Sequence, residues 1–228
     1  MKLSISTTRR ENIFGYIYLA FYHLLLPTLI ALVFYILGYE ISLTAINILY
    51  FLINFIAIVI IFHRFLGHSL KAAFKKPLCC LRFAGLGFVL YYMGMLVVSF
   101  LILYINPAFS NVNDSNIADM VQENTALLSF CTVLLVPVVE ETLYRGLIFQ
   151  QLQKKHRFLA YLVSCLVFSG IHVVGYIGQA DWLTLLLCFM QYLPAGLSLA
   201  WAYEKSDTLF APILMHITIN LLGIAAMR

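Results

Sequence analysis

Charge is scarce in this sequence. Asp, Glu, Lys and Arg together make up 11% of its 228 residues, against roughly a quarter in a soluble domain. With 63% of the residues hydrophobic, a water-soluble globule is excluded. There are five cysteines, none at a CxxC or other metal-ligand spacing, so zinc ribbons and CxxC redox centres are excluded. Cys79, Cys80, Cys131, Cys165 and Cys188 sit in or beside apolar runs and read as apolar filler. Lipidation of the Cys79–Cys80 pair next to a basic segment is the alternative. The chain also lacks an HExxH motif, an internal repeat, a low-complexity tract and any stretch that reads as a soluble domain.

Long apolar runs, by contrast, fill the chain. They occur at 13–37, 44–62, 78–105, 125–150, 158–178, 182–203 and 209–227. About 20 apolar residues rising 1.5 Å each cross ~30 Å of hydrocarbon. The expected fold is therefore an all-α, polytopic membrane helix bundle of about seven transmembrane helices. Lys2, Arg9 and Arg10 ahead of the first run imitate a signal peptide, but that run is too long and has no small-residue cleavage site, so it should remain as an anchor.

Twelve of the fourteen Lys and Arg residues fall on alternate connections. They are Lys2, Arg9 and Arg10; Arg64, Lys71, Lys75, Lys76 and Arg82; Lys154, Lys155 and Arg157; and Lys205. The other two are Arg145 and Arg228. By the positive-inside rule the N-terminus is cytoplasmic in a multi-pass cell-membrane protein. The opposite face receives Gly38–Glu40, a polar loop Asn106–Asn124 and the turn Gly178–Asp181. His63–Lys76 alternates Phe65, Leu66, Leu70, Ala73 and Phe74 with Arg64, His68, Lys71, Lys75 and Lys76, as an amphipathic helix on the inner leaflet would. A plain basic topology loop fits equally well.

Ionisable residues inside a bilayer cost several kcal/mol and usually mark a functional site. Here they cluster in three runs. Val-Pro137-Val-Val-Glu140-Glu141-Thr-Leu-Tyr144-Arg145-Gly146 puts two carboxylates and a guanidinium in one apolar helix. Glu141 and Arg145 stand at i, i+4 with the acid first, the better order for a helical ion pair. Glu140 is turned about 100° away, toward Tyr144, and remains a separate group facing the bundle interior. Phe168-x-x-x-His172 and His216-x-x-x-Asn220 each put two side chains on one helical face. At 1.5 Å per residue from the basic ends, Glu140, His172, His216 and Asn220 lie at depths of roughly 10–21 Å, so one cavity can hold all four. Pro137 removes a backbone hydrogen bond and frees a carbonyl beside the acids, whether for function or as a packing kink. His23 and the tyrosines Tyr16, Tyr18 and Tyr22 in the first run either line a substrate path or serve as structural and interfacial residues.

These three motifs resemble those of the type II CAAX prenyl endopeptidase and bacteriocin-processing family, called CPBP or Abi. The resemblance covers 125–228, which would be a four-helix catalytic core, with 1–124 as N-terminal spans. It implies a membrane endopeptidase without a tightly bound metal or other cofactor. In it Glu140 and His172 would activate water, His216 and Asn220 would hold the oxyanion, and Glu141 and Arg145 would orient the site. The implied partners are the lipid bilayer and a membrane-associated peptide or protein substrate; a second membrane protein is a further candidate, and no nucleic acid is expected. Three other readings remain open: a zinc protease using Glu140, His172 and His216, a non-catalytic immunity factor or regulator, and a proton-coupled transporter.

Overall fold

The computed structural model describes residues 3–123 and 125–226. Lys2 and Arg228 of the topology argument, and the last residue of the seventh run, lie outside the described residues. Among the described residues there are ten helices: α1 (Arg9–Leu24), α2 (Leu26–Ile36), α3 (Leu43–Ile61), α4 (His63–Lys75), α5 (Pro77–Ile105), α6 (Val112–Glu123), α7 (Ala126–Gln153), α8 (Arg157–Val174), α9 (Trp182–Ser206) and α10 (Phe210–Ala226). Among the described residues there is no strand beyond an isolated bridge between Ile177 and Ala180.

Helices α3, α5, α7, α8 and α9 are long and apolar enough to cross a membrane. The chain is a multi-pass membrane protein. The seventh run is the 17-residue helix α10, apolar but shorter. The first run differs from expectation, because it is two helices, α1 and α2, meeting at 57° rather than one straight span. Pro27 stands in the first turn of α2, where a proline has no N–H for the preceding turn and its ring crowds the carbonyl four residues back. The fifth span ends at Val174 instead of 178. The polar loop 106–124 also contains a helix, α6. Asn111 starts it, its side-chain oxygen accepting from the N–H groups of Asn113 (2.9 Å) and Asp114 (3.3 Å).

The basic connections gather at one end of the bundle. Ser4 N–H donates to Asp207 (2.7 Å), and Gln150 ties Thr7 and the Ile5 carbonyl. Glu11 completes a capping box with Thr8 and also accepts from Phe65 N–H at 2.8 Å. The inward face of α4 buries Phe65 and Ser69, and Ser69 accepts from Leu209 N–H at 2.7 Å. Its outward face exposes Arg64, His68, Lys71 and Lys75. At the opposite end Glu123 accepts from Thr44, and Asn113 reaches α9.

One buried cluster joins both parts of the chain, from Tyr22, Ile58, Phe62 and Phe65 to Leu143, Leu147, Leu199 and Met215. Helices α8 and α9 come close enough that a Cβ on Gly196 would lie 3.0 Å from the Cys165 sulfur, the small-residue contact that brings membrane helices together. A Cβ on Gly146 would lie 2.5 Å from the Phe65 ring, itself fully buried and unable to swing away. Gly146→Ala should therefore lower the thermal unfolding midpoint in detergent, at the ~1–3 kcal/mol typical of overpacking. An unchanged midpoint would show that the ring has room to move.

Candidate active site

Helix α7 carries the acidic motif and is not a uniform α-helix. Two π-helical stretches, Cys131–Leu135 and Thr142–Phe149, bracket the α-helical turn Val136–Glu141. Such widenings occur often at functional sites. The first has a local cause. Val136 N–H bonds to the Cys131 carbonyl five residues back. The next donor in that register would be residue 137, a proline without an N–H. The Thr132 carbonyl it would have served instead accepts from Asn220 Nδ2 on α10, at 2.9 Å. The carbonyl freed by Pro137 thus holds one member of the third motif.

Glu141 and Arg145 are both fully buried, with Nε 3.1 Å from Oε2. The guanidinium is close enough for an ion pair, but its Nε–H is not aimed along that line, and neither Nε nor Nη1 completes a hydrogen bond. Nη2 donates to the Gly196 carbonyl at 3.3 Å. The other Glu141 oxygen lies 2.9 Å from His216 Nδ1. Glu141 is thereby shared between the cation one turn on and a histidine two spans away. A carboxylate paired with arginine accepts hydrogen bonds only, so Nδ1 carries the proton and Nε2 is the edge His216 turns elsewhere. That edge faces Glu140, with Nε2 and Oε2 4.0 Å apart, beyond hydrogen-bonding range. Glu140 is buried and its Oε2 has no hydrogen-bond partner among the described residues.

Phe168 is the hub between motifs. Its ring centroid lies 4.6 Å from the Arg145 guanidinium carbon, 4.8 Å from the His172 ring and 5.8 Å from the His216 ring, and it meets Tyr144 edge-on at 5.9 Å. A cation held over an aromatic face in a dry setting gains of order 2 kcal/mol. His172 is half-buried, and its Nδ1 lies 2.7 Å from the Phe168 carbonyl one turn back. A carbonyl only accepts, so Nδ1 is again the protonated nitrogen and Nε2 holds the lone pair. The Tyr192 ring also stacks on His172, at 4.2 Å and 24°.

On the far side of α7, the Tyr22 and Tyr50 rings stack at 5.3 Å. Tyr22 lies within hydrogen-bonding reach of Tyr144, and Tyr18 donates to Asn54 at 2.5 Å. Tyr22, Phe51, Asn54, Val136 and Val139 bound a small cavity. Of the first-run residues suggested for a path, Tyr18 and Tyr22 face this wall. Tyr16 instead borders a surface pocket with Asn12, Gln151 and Lys155. The side chain of His23 lies outside the described residues.

Five of the six residues of the three motifs thus lie within one network, and the sixth, Asn220, is tied to the same helix α7 through the Thr132 carbonyl. Glu140, Glu141, Arg145 and His216 come together directly. His172 is joined through Phe168, and Asn220 is anchored on Thr132. Phe168 was visible in the motif but had no assigned role; Tyr192, Asn54 and Tyr50 had no sequence signal, being isolated polar residues in other helices.

Comparison with known proteins bears on this segment. Residues 122–222 match the family described as type II CAAX prenyl endopeptidase Rce1-like. That segment is similar to the Rce1-like family. The matched segment spans α7 to α10 and contains all three motifs, and the likeness is to a family described as CAAX prenyl endopeptidases. The chain is also 26% identical over 133 residues to UPF0177 protein YxdF of Lactococcus lactis, covering 58% of this chain and 68% of that one. No solved structure matches. The N-terminal spans and the α4 connection, which supply Tyr22, Asn54 and Phe65, lie outside the Rce1-like segment.

Proposed function

We propose that the chain is an intramembrane endopeptidase that hydrolyses a peptide bond in a membrane-associated protein or peptide, using its own side chains to activate water. The observation that carries this reading is Glu140: a buried carboxylate whose Oε2 has no partner, facing the unspent edge of His216 within an Rce1-like segment. Uncompensated polar groups in a dry interior are costly and persist where they do work. Glu140, with Oε2 unspent, and His172 take the proton of a water that attacks the carbonyl, and return it to the leaving amine. His216 is oriented by Glu141 as a triad histidine is by its aspartate, and in its protonated form donates from Nε2 to the oxyanion. Asn220 spends one amide hydrogen on Thr132 and offers the second.

A zinc centre on Glu140, His172 and His216 fits less well. Among the described residues no three His, Cys, Asp or Glu side chains converge as ligands of one ion. The test uses purified chain in proteoliposomes, mixed with the membrane fraction of cells lacking it, with new peptide termini read by mass spectrometry. Cleavage should survive a stripping chelator. Loss on chelation and recovery with added Zn²⁺ would replace this mechanism with the metal one.

The orientation follows from the same chemistry of loops. The N-terminal segment, α4 and the connection at Lys154–Arg157 are cytoplasmic, and α6 is external. Reporter fusions after Lys155 and Lys205 should read as cytoplasmic and fusions within Asn111–Asn116 as external. The reverse pattern would invert the assignment.

A further inference from the structure

His172 lies two residues before the end of α8, where a helix holds its side chains least firmly. Its own helix supplies one restraint, the Phe168 carbonyl at 2.7 Å. The second comes from outside the motifs. The Tyr192 ring of α9 lies parallel to the imidazole at 4.2 Å, and its hydroxyl donates to Asp114 Oδ1 of α6 at 2.8 Å while accepting from Asn113 Nδ2 at 2.9 Å. Helix α6 is fixed in turn. Asn111 caps it and donates to Gln191 of α9 at 2.9 Å, and Tyr176, just past α8, donates to Asn113 at 3.2 Å. Burial pushes the Asp114 carboxyl up from its usual value, opposed by the hydrogen bonds from Tyr192 and Asn113. A half-buried acid in a short polar helix needs a reason to sit there, and in this fold it terminates a chain of contacts running to His172.

We propose that Tyr192 and Asp114 are positioning residues for His172, with the extramembrane helix α6 anchoring the tyrosine ring that fixes the imidazole plane. The proposal rests on the reading of His172 as a base in peptide hydrolysis. A general base must keep its lone pair within a few tenths of an ångström of the water it activates, and a displacement of about 1 Å can cost on the order of 100-fold in rate. The Phe168 carbonyl sets which nitrogen bears the proton; the stacked tyrosine sets the plane in which the other points. Neither Tyr192 nor Asp114 touches substrate in this scheme. A purely structural role, pinning α6 to α9, would leave the histidine ring indifferent to the hydroxyl–carboxylate bond.

The deciding experiment reads the ring itself, without needing a substrate. The full chain is reconstituted in nanodiscs with histidines labelled at Cε1 and both nitrogens, and the His172 signals are identified by their loss in His172→Gln. The expected spectrum has Nδ1 protonated and Hε1 displaced upfield by the tyrosine ring. Tyr192→Leu should remove the displacement. Tyr192→Phe and Asp114→Ala should each move the same signals, and the double variant no further than Tyr192→Phe, since both delete the Tyr192–Asp114 bond and the tyrosine change also removes the one from Asn113. Asp114→Asn, which still accepts from the hydroxyl, should stay near wild type and covers the case in which Asp114→Ala fails to fold. His172 signals unchanged in Tyr192→Leu, or additive shifts in the double variant, would overturn the proposal. On a cleaved substrate, Tyr192→Phe should lower kcat about tenfold with KM within twofold. If Glu140→Gln keeps full function while the spectra behave as expected, the peptidase reading fails and the clamp stands. If Glu140→Gln is inactive and the spectra are unmoved, the clamp alone fails.

Discussion

Glu140→Gln should lower turnover by two or more orders of magnitude in a chain that still folds and inserts. The amide matches the carboxylate in shape but cannot take a proton, and general base catalysis is typically worth 10²–10⁴-fold. Because Glu140 Oε2 has no partner to lose, the variant should be at least as stable as wild type, an independent sign that the carboxylate is held for chemistry. His172→Ala should cost a similar factor as a lost base, and so should His216→Ala and Asn220→Ala, since one oxyanion donor is worth about 10²–10³. Their stabilities should differ. Asn220→Ala strands the Thr132 carbonyl and His216→Ala strands one Glu141 oxygen, each at roughly 1–3 kcal/mol. Turnover measured alongside the detergent unfolding midpoint separates the two effects. Loss of stability with unchanged turnover in Asn220→Ala would remove it from the oxyanion site.

Arg145→Ala should be the most damaging change to the fold. It leaves the fully buried Glu141 without its counter-ion, and breaking a buried pair from one side costs about 3–5 kcal/mol. Adding Glu141→Gln should restore much of the folded yield, since no buried charge is left and the Gln carbonyl still accepts from His216 Nδ1. Size-exclusion profiles of wild type and the two variants decide it. If the double variant expresses no better than Arg145→Ala, the guanidinium matters for its contacts with the Gly196 carbonyl and the Phe168 face rather than for Glu141.

Much of this was legible in the sequence, because hydropathy and helical spacing are local signals. They gave the all-α membrane bundle, the Glu141–Arg145 pair and the separateness of Glu140, and depth counting gave overlapping depths for four polar residues of three spans. What was not legible depends on register between helices. The broken first span follows from Pro27, which a hydropathy window averages away. The helix at Val112–Glu123 depends on the Asn111 cap and on partners in α9. Pro137 was legible as a source of a free carbonyl, but only the fold shows that Thr132 supplies it and Asn220 takes it. The sharing of Glu141 with His216, and the stacking of Tyr192 on His172, join residues 75 and 20 positions apart whose helices had no sequence-visible register.

The central claim, that Glu140 drives peptide hydrolysis in the membrane, is tested most directly by comparing the peptides and membrane proteins of cells carrying the native chain with those of cells carrying Glu140→Gln at equal expression. At least one membrane-associated precursor should accumulate in the Glu140→Gln cells and its cleavage products should vanish, as in cells without the chain. Unchanged precursors and products, together with full biological function in the Glu140→Gln cells, would contradict it and leave the chain a binding partner rather than a peptidase.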